Sequence, residues 1–116
     1  MSKRYLIIFI IAIFILSITS VVLATDVHTT TSIINGVTVK WEYNIDKSNQ
    51  IIDLKCTNST ELTGNITIPA TLDGLNVVSL GNGAFSGATN ITKVVIPSSI
   101  KKIAKNSFLK CTGLTA

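Results

Sequence analysis

From Val37 the chain alternates. Val37, Val39, Trp41, Tyr43 and Ile45 are apolar, and Thr38, Lys40, Glu42 and Asn44 between them are polar. Period two sustained over this length predicts a half-buried β-strand. Asp46-Lys47-Ser48-Asn49 has the composition of a turn. Ile52, Leu54 and Cys56 then alternate with Ile51, Asp53, Lys55 and Thr57, which predicts a second strand folding back on the first. A two-stranded hairpin alone is marginal in water. Its apolar face, with Trp41 and Tyr43, therefore needs a partner from the rest of the chain.

The partner is a repeat. Residues 75–92 superpose on 98–115 with a constant offset of 23. Val77 meets Ile100, Leu80 meets Ile103, Phe85 meets Phe108, Ala88 meets Cys111 and Ile91 meets Leu114. The Ile68-Pro69 and Ile96-Pro97 pairs are offset by 28, which places a five-residue insertion after Pro69, where Leu72-Asp73-Gly74 reads as a turn. Fixed-period similarity marks coils that bury their apolar residues only by stacking on a neighbour. In this reading Ile91, Val94 and Ile96 point inward from a short strand that Pro97 ends. Ile100 and Ile103 form a second inward pair, and Phe108 is a buried anchor.

Ahead of these elements stands a different kind of segment. Lys3 and Arg4 precede Tyr5–Ala24, which carries no charge, and Val22-Leu23-Ala24 suits signal cleavage. The same run is also long enough, at about 30 Å of helix, to remain as a membrane anchor. Either way the basic start stays on the cytoplasmic side and the rest of the chain is expected outside. Residues 25–36, rich in Thr and without an apolar period, are expected to be a flexible lead-in. The expected organisation is thus 1–24 signal peptide or uncleaved anchor, 25–36 lead-in, 37–63 β-hairpin cap and 64–116 repeats. The fold class is mainly β: a signal or anchor helix, a capping hairpin and a short solenoid of about two 23-residue coils.

Charge changes the picture little. Past residue 24 there are eight Lys and no Arg against six acids, a net of +2. A near-neutral chain without Arg gives no case for nucleic-acid binding, although the whole chain has a pI near 9.3. Two coil spacings separate Cys56 from Cys111 by about 10 Å, beyond the roughly 7 Å that a disulfide bridges. His28 has no partners at metal-ligand spacing and reads as a solvated tail residue. Gly81-Asn82-Gly83 lacks the Lys-Ser/Thr that would make it a phosphate loop and reads as a tight corner. No cofactor, metal or catalytic set is expected.

The run Ile96-Pro97…Ile100…Ile103…Phe108…Cys111…Leu114, with Leu80-Gly81-Asn82-Gly83-Ala84-Phe85-Ser86-Gly87 in the earlier copy, resembles the BspA-type leucine-rich repeat. The likeness covers roughly 64–116. The later copy departs from the pattern, with Ala104 for Gly81, Asn106 for Gly83, and Ser107 where the family prefers Ala. Asn106 can still take the left-handed conformation. Leu114-Thr115-Ala116 matches Ile91-Thr92-Lys93, the start of a further strand, so the repeat is expected to be incomplete at this point. The resemblance implies a secreted or cell-surface protein that binds a protein or surface ligand, and with so much of the chain committed to coils no enzyme activity is expected. Its alternative is a structural cap or spacer of a longer repeat protein with an enzyme module elsewhere. Membrane contact would come only through residues 5–24, if uncleaved. The expected binding face is the outward row Thr67, Lys93 and Val95, smaller than the roughly 800 Å² per partner of a standard interface.

Overall fold

The computed structural model describes residues 26–115, and the signal or anchor segment 1–24 lies outside them. Within that range the chain is mainly β. Its strands are β1 (His28–Ile34), β2 (Val37–Ile45), β3 (Ile51–Cys56), β4 (Gly64–Thr67), β5 (Thr71–Leu72), β6 (Leu75–Asn76), β7 (Ser79–Leu80), β8 (Ile91–Val95) and β9 (Lys102–Ile103). One turn of 3-10 helix, Ser59–Glu61, follows β3.

The segment expected to be a flexible lead-in is instead β1, paired antiparallel with β2 along its whole length from His28↔Tyr43 to Ile34↔Val37. Asn35 and Gly36 close this hairpin with φ of 55° and 78°, the positive pair that a two-residue turn needs to match strand twist. Thr suits a strand because it is branched at Cβ, though it adds nothing to an apolar period. His28 is therefore not a tail residue. Its ring stacks on Tyr43 at 5.5 Å.

The expected hairpin of β2 and β3 forms, with a bulge between Glu42 and Asn44. Its second strand also does something else. β3 pairs in parallel with β7, Leu54 against Leu80, and β7 pairs in parallel with β9, Leu80 against Ile103. The five-stranded sheet β1-β2-β3-β7-β9 is thus antiparallel at its start and a parallel stack thereafter. A second ladder joins β4 to β8, also parallel, with Ile66 against Val94. Parallel pairing thus begins with β3, ahead of the segment 64–116 expected to hold the repeats. β3 and β4 make a first coil, β7 and β8 a second, and β9 opens a third. The cap is the β1–β2 hairpin.

Backbone bonds tie the corners of successive coils as well. The Cys56 amide donates to the Ala84 carbonyl at 2.9 Å and the Phe85 amide to the Ser107 carbonyl at 2.7 Å. The insertion after Pro69 is the small hairpin β5–β6, turned at Asp73-Gly74 with φ of 51° and 80°. Gly81 lies so close to β3 that a Cβ there would sit 2.8 Å from the Asp53 carbonyl oxygen.

The core runs along the stack. Trp41 of the cap meets Phe85 edge-on at 5.8 Å, and Phe85 stacks on Phe108 at 5.6 Å. The first coil has no aromatic residue between Ile51 and Pro69, and Trp41 supplies the ring that meets Phe85. Burial fades towards the third coil. Ile68 is buried at 1%, whereas Ile96, its counterpart one coil on, is 41% exposed and Ile103 is 45% exposed. Both were expected inward. Ile68 lies against the next coil, its amide donating to the Val95 carbonyl at 3.0 Å, but among the described residues no strand lies beyond β8 or β9 in turn.

Candidate interaction surface

The β4–β8 ribbon carries the face expected from sequence. Register places Thr67 directly beside Val95 and Asn65 beside Lys93, while Ile66 is buried and Val94 packs on the core. Thr67, Lys93 and Val95 are all exposed. Alternation along a strand sends every second side chain outward, so these residues share one small surface. The Thr92 hydroxyl donates to Asn65 Oδ1 at 3.2 Å and bridges the two strands on that side. Asn35 closes the cap end of β4: its Nδ2 donates to the carbonyls of Thr63 at 3.2 Å and Asn65 at 2.6 Å. At the other side, Thr115 donates its amide to the Thr92 carbonyl at 3.0 Å. Leu114-Thr115 thus begins a third rung, in the position that the internal repeat gives it.

Buried polar side chains bind coil to coil. Asn58 accepts from the Lys40 amide through Oδ1 and donates to the Thr38 carbonyl through Nδ2, at 2.9 and 2.8 Å. The Ser59 hydroxyl donates to the Ser86 carbonyl at 2.8 Å. Ser107 donates to the carbonyls of Ala104 and Gly81, so its hydroxyl is satisfied where the earlier copy has Ala84. Asn106 has φ of 60°, next to 69° for its counterpart Gly83.

The two thiols and the Tyr43 phenol are tied up in structure. Both cysteines are free thiols. Burial pushes Cys56 up to about 11 and raises Cys111 as well, which keeps both protonated and weakly nucleophilic at neutral pH. Cys111 donates to the Phe85 carbonyl at 3.1 Å. Tyr43 donates a short hydrogen bond to the Asp73 carboxylate. That bond, with burial and the nearby charge, pushes the phenol up to about 12. Among the described residues no three His, Cys, Asp or Glu side chains gather where they could hold a metal ion.

Sequence reasoning missed one concavity. A shallow groove of about 640 Å³ crosses the outer face of β3, β7 and β9, with Ile52 and Val78 in its lining and Asn76, Ser99, Lys101 and Lys102 around them. The signal was present as outward positions on successive rungs, but only once β3 is counted as the first coil.

A short parallel rung, a tight Gly/Asn corner and a buried Phe repeated at a fixed period define a leucine-rich repeat protein. The family model for the BspA type leucine rich repeat region (6 copies) matches residues 35–116, and the chain belongs to that family. The match starts inside the β1–β2 turn, and so takes in β3 as well as the coils evident from sequence. No curated protein and no solved structure matches the chain. Repeats of this family point to a role in protein–protein interaction.

Proposed function

We propose that the protein is an exported, non-catalytic interaction module whose β4–β8 face binds a protein ligand outside the cell. The observation that carries this reading is the register of Thr67 beside Val95, with Lys93 on the same outward row of a ladder whose inward row is core. Residues on that row can change without disturbing the fold, which is what a recognition surface requires. Export rests on the sequence of residues 1–24, a basic start followed by an uncharged apolar run. The absence of catalysis rests on the commitment of both thiols and of Tyr43 to structure.

The test is binding of the protein to immobilised extracellular proteins, comparing wild type with Lys93→Ala/Val95→Ala. The double variant is expected to keep its circular dichroism and lose at least about tenfold in affinity, the scale of one or two modest contacts. Unchanged binding would remove the face from consideration. Turnover in a hydrolase screen would contradict the non-catalytic part.

A further inference from the structure

The five-stranded sheet ends at the cap on β1, the end opposite β9, so strands stacked beyond β9 would leave it as it is. β1 pairs with β2 over all 7 of its residues without a bulge. Lys40, the partner of Thr31, turns both backbone groups the other way. Its amide donates to Asn58 Oδ1 at 2.9 Å, and its carbonyl accepts the Thr57 amide at 2.8 Å. The amide and carbonyl of Thr31 therefore point away from β2, and alternation along an antiparallel ladder turns those of Thr29 and Ile33 the same way. Among the described residues no strand takes them. Asp26 and Val27, just ahead of β1, are exposed and outside any strand.

Edge strands are ordinarily guarded by a charge, a proline or a bulge. The run His28-Thr29-Thr30-Thr31-Ser32-Ile33-Ile34 has no Lys, no acid and no Pro. Its inner row is engaged within the chain. His28 stacks on Tyr43, Thr30 donates to Asp73 at 3.0 Å, and Ser32 accepts from Trp41 Nε1 at 2.8 Å. Its outer row, Thr29, Thr31 and Ile33, is exposed. Ile33, at 74%, is the most exposed large apolar side chain among the described residues.

Such a strand fits its own copy. Set antiparallel about Thr31, two β1 strands overlap along their whole length, with His28 against Ile34 at each end. Thr31 then faces Thr31 and Thr29 faces Ile33, the residues whose backbone groups are free, so each pair exchanges both bonds. The outer row becomes β-branched against β-branched, a favourable cross-strand pairing, and Ile33 is covered. No charge meets its like. The two copies of Lys40, the nearest lysine on that face, stand three strand spacings apart, about 14 Å, beyond the roughly 8 Å screening length of physiological salt. We infer that the outer edge of β1 pairs antiparallel with β1 of a second copy of this chain, joining the two sheets into one. An isologous contact of this kind closes at two chains. Each β4–β8 face is small, and a dimer carries two of them, which strengthens binding to a ligand displayed on a surface through effective concentration. The pairing itself does not depend on what that face binds.

The test is sedimentation of the exported chain across a dilution series. A reversible monomer–dimer equilibrium is expected, with nothing larger. Thr31→Lys and Thr31→Glu should each raise the dissociation constant at least about tenfold, because the two-fold sets like charges directly opposite, and an equimolar mixture of the two should recover the dimer. Both should keep the wild-type circular dichroism, since Thr31 faces solvent within one chain. Thr31→Cys should crosslink to itself on mild oxidation, with the bridge distinguished from Cys56 and Cys111 by peptide mapping. Thr29→Cys should not, because its own copy lies about 14 Å away along the partner strand. A monomer at every concentration overturns the inference, and so do oligomers that grow past the dimer. A dimer that survives both charged substitutions, or self-crosslinking of Thr29→Cys and not of Thr31→Cys, puts the contact elsewhere or in another register and overturns it too. A monomer in which Lys93→Ala/Val95→Ala still weakens ligand binding overturns this inference alone, and a dimer in which it has no effect overturns only the β4–β8 face.

Discussion

At the scale of single residues, the aromatic line through the stack sets the energetics. Phe85 is fully buried between Trp41 and Phe108, whereas Phe108 is only partly buried. Truncating a fully buried Phe costs about 3–5 kcal/mol. Phe85→Ala is expected to fall in that range by urea unfolding and Phe108→Ala well below it. Equal losses would mean that the third coil is covered as completely as the second. Tyr43 makes a pH prediction. Its folded pKa, about 12, lies above the ordinary 10.0, so the folded state favours the neutral phenol. Its contribution to stability is therefore complete below about pH 10 and is lost as pH rises towards 12. Comparing unfolding of wild type and Tyr43→Phe across that window should show the difference between them shrinking. A constant difference would mean that the Asp73 bond does not hold the proton. The repeat anchors were legible in sequence because Phe85 and Phe108 recur at a fixed spacing. Trp41 was legible as cap core but not as the ring that meets Phe85, since nothing in spacing says that a first coil without an aromatic borrows one.

At the scale of elements, the informative differences are β1 and β3. β1 escaped an apolar-period reading because Thr29, Thr30, Thr31 and Ser32 are polar, although the Asn35-Gly36 pair after them is a strong hairpin signal. β3 was legible as a strand but not as a coil. Its register to β7 is 26 residues rather than 23, and the corner after it carries Asn58 and Ser59 rather than Ala-Phe. Fixed-offset comparison fails where a coil has changed both length and anchor. The small hairpin at Asp73-Gly74, by contrast, was legible because turn residues announce themselves locally. Asn35 gives the element-level prediction. It holds a left-handed φ and donates to two carbonyls of the first coil. Asn35→Ala is expected to lose about 1–3 kcal/mol through those bonds and the backbone conformation. Asn35→Gly, free of the backbone cost, should lose less. The reverse order would remove the turn from its capping role.

At the scale of the whole molecule, protection should grade along the stack. β2 and β3 have a paired strand on both sides, whereas β9 has one. Amide exchange is expected to be slowest in β2, β3 and β7 and fastest in β9 and residues 105–115, since local opening tracks the burial that holds an element down. Uniform protection would contradict an open third coil. The thiols should follow the same gradient. Cys111, partly exposed, should alkylate before Cys56, which is buried. The cap closes one end of the stack, and its ladders carry the outward rows.

The central claim is the parallel register of the coils, and a designed crosslink tests it most directly. Thr67 and Val95 are direct neighbours on adjacent parallel strands, about 4.8 Å apart and inside the range that a disulfide spans. Thr67→Cys/Val95→Cys should close on mild oxidation, with the bridge assigned by peptide mapping. Thr67→Cys/Lys93→Cys places the second thiol two residues along, about 8 Å away, and should stay reduced. Closure of the Lys93 pair and not of the Val95 pair would contradict the register, and with it the β4–β8 face proposed for binding.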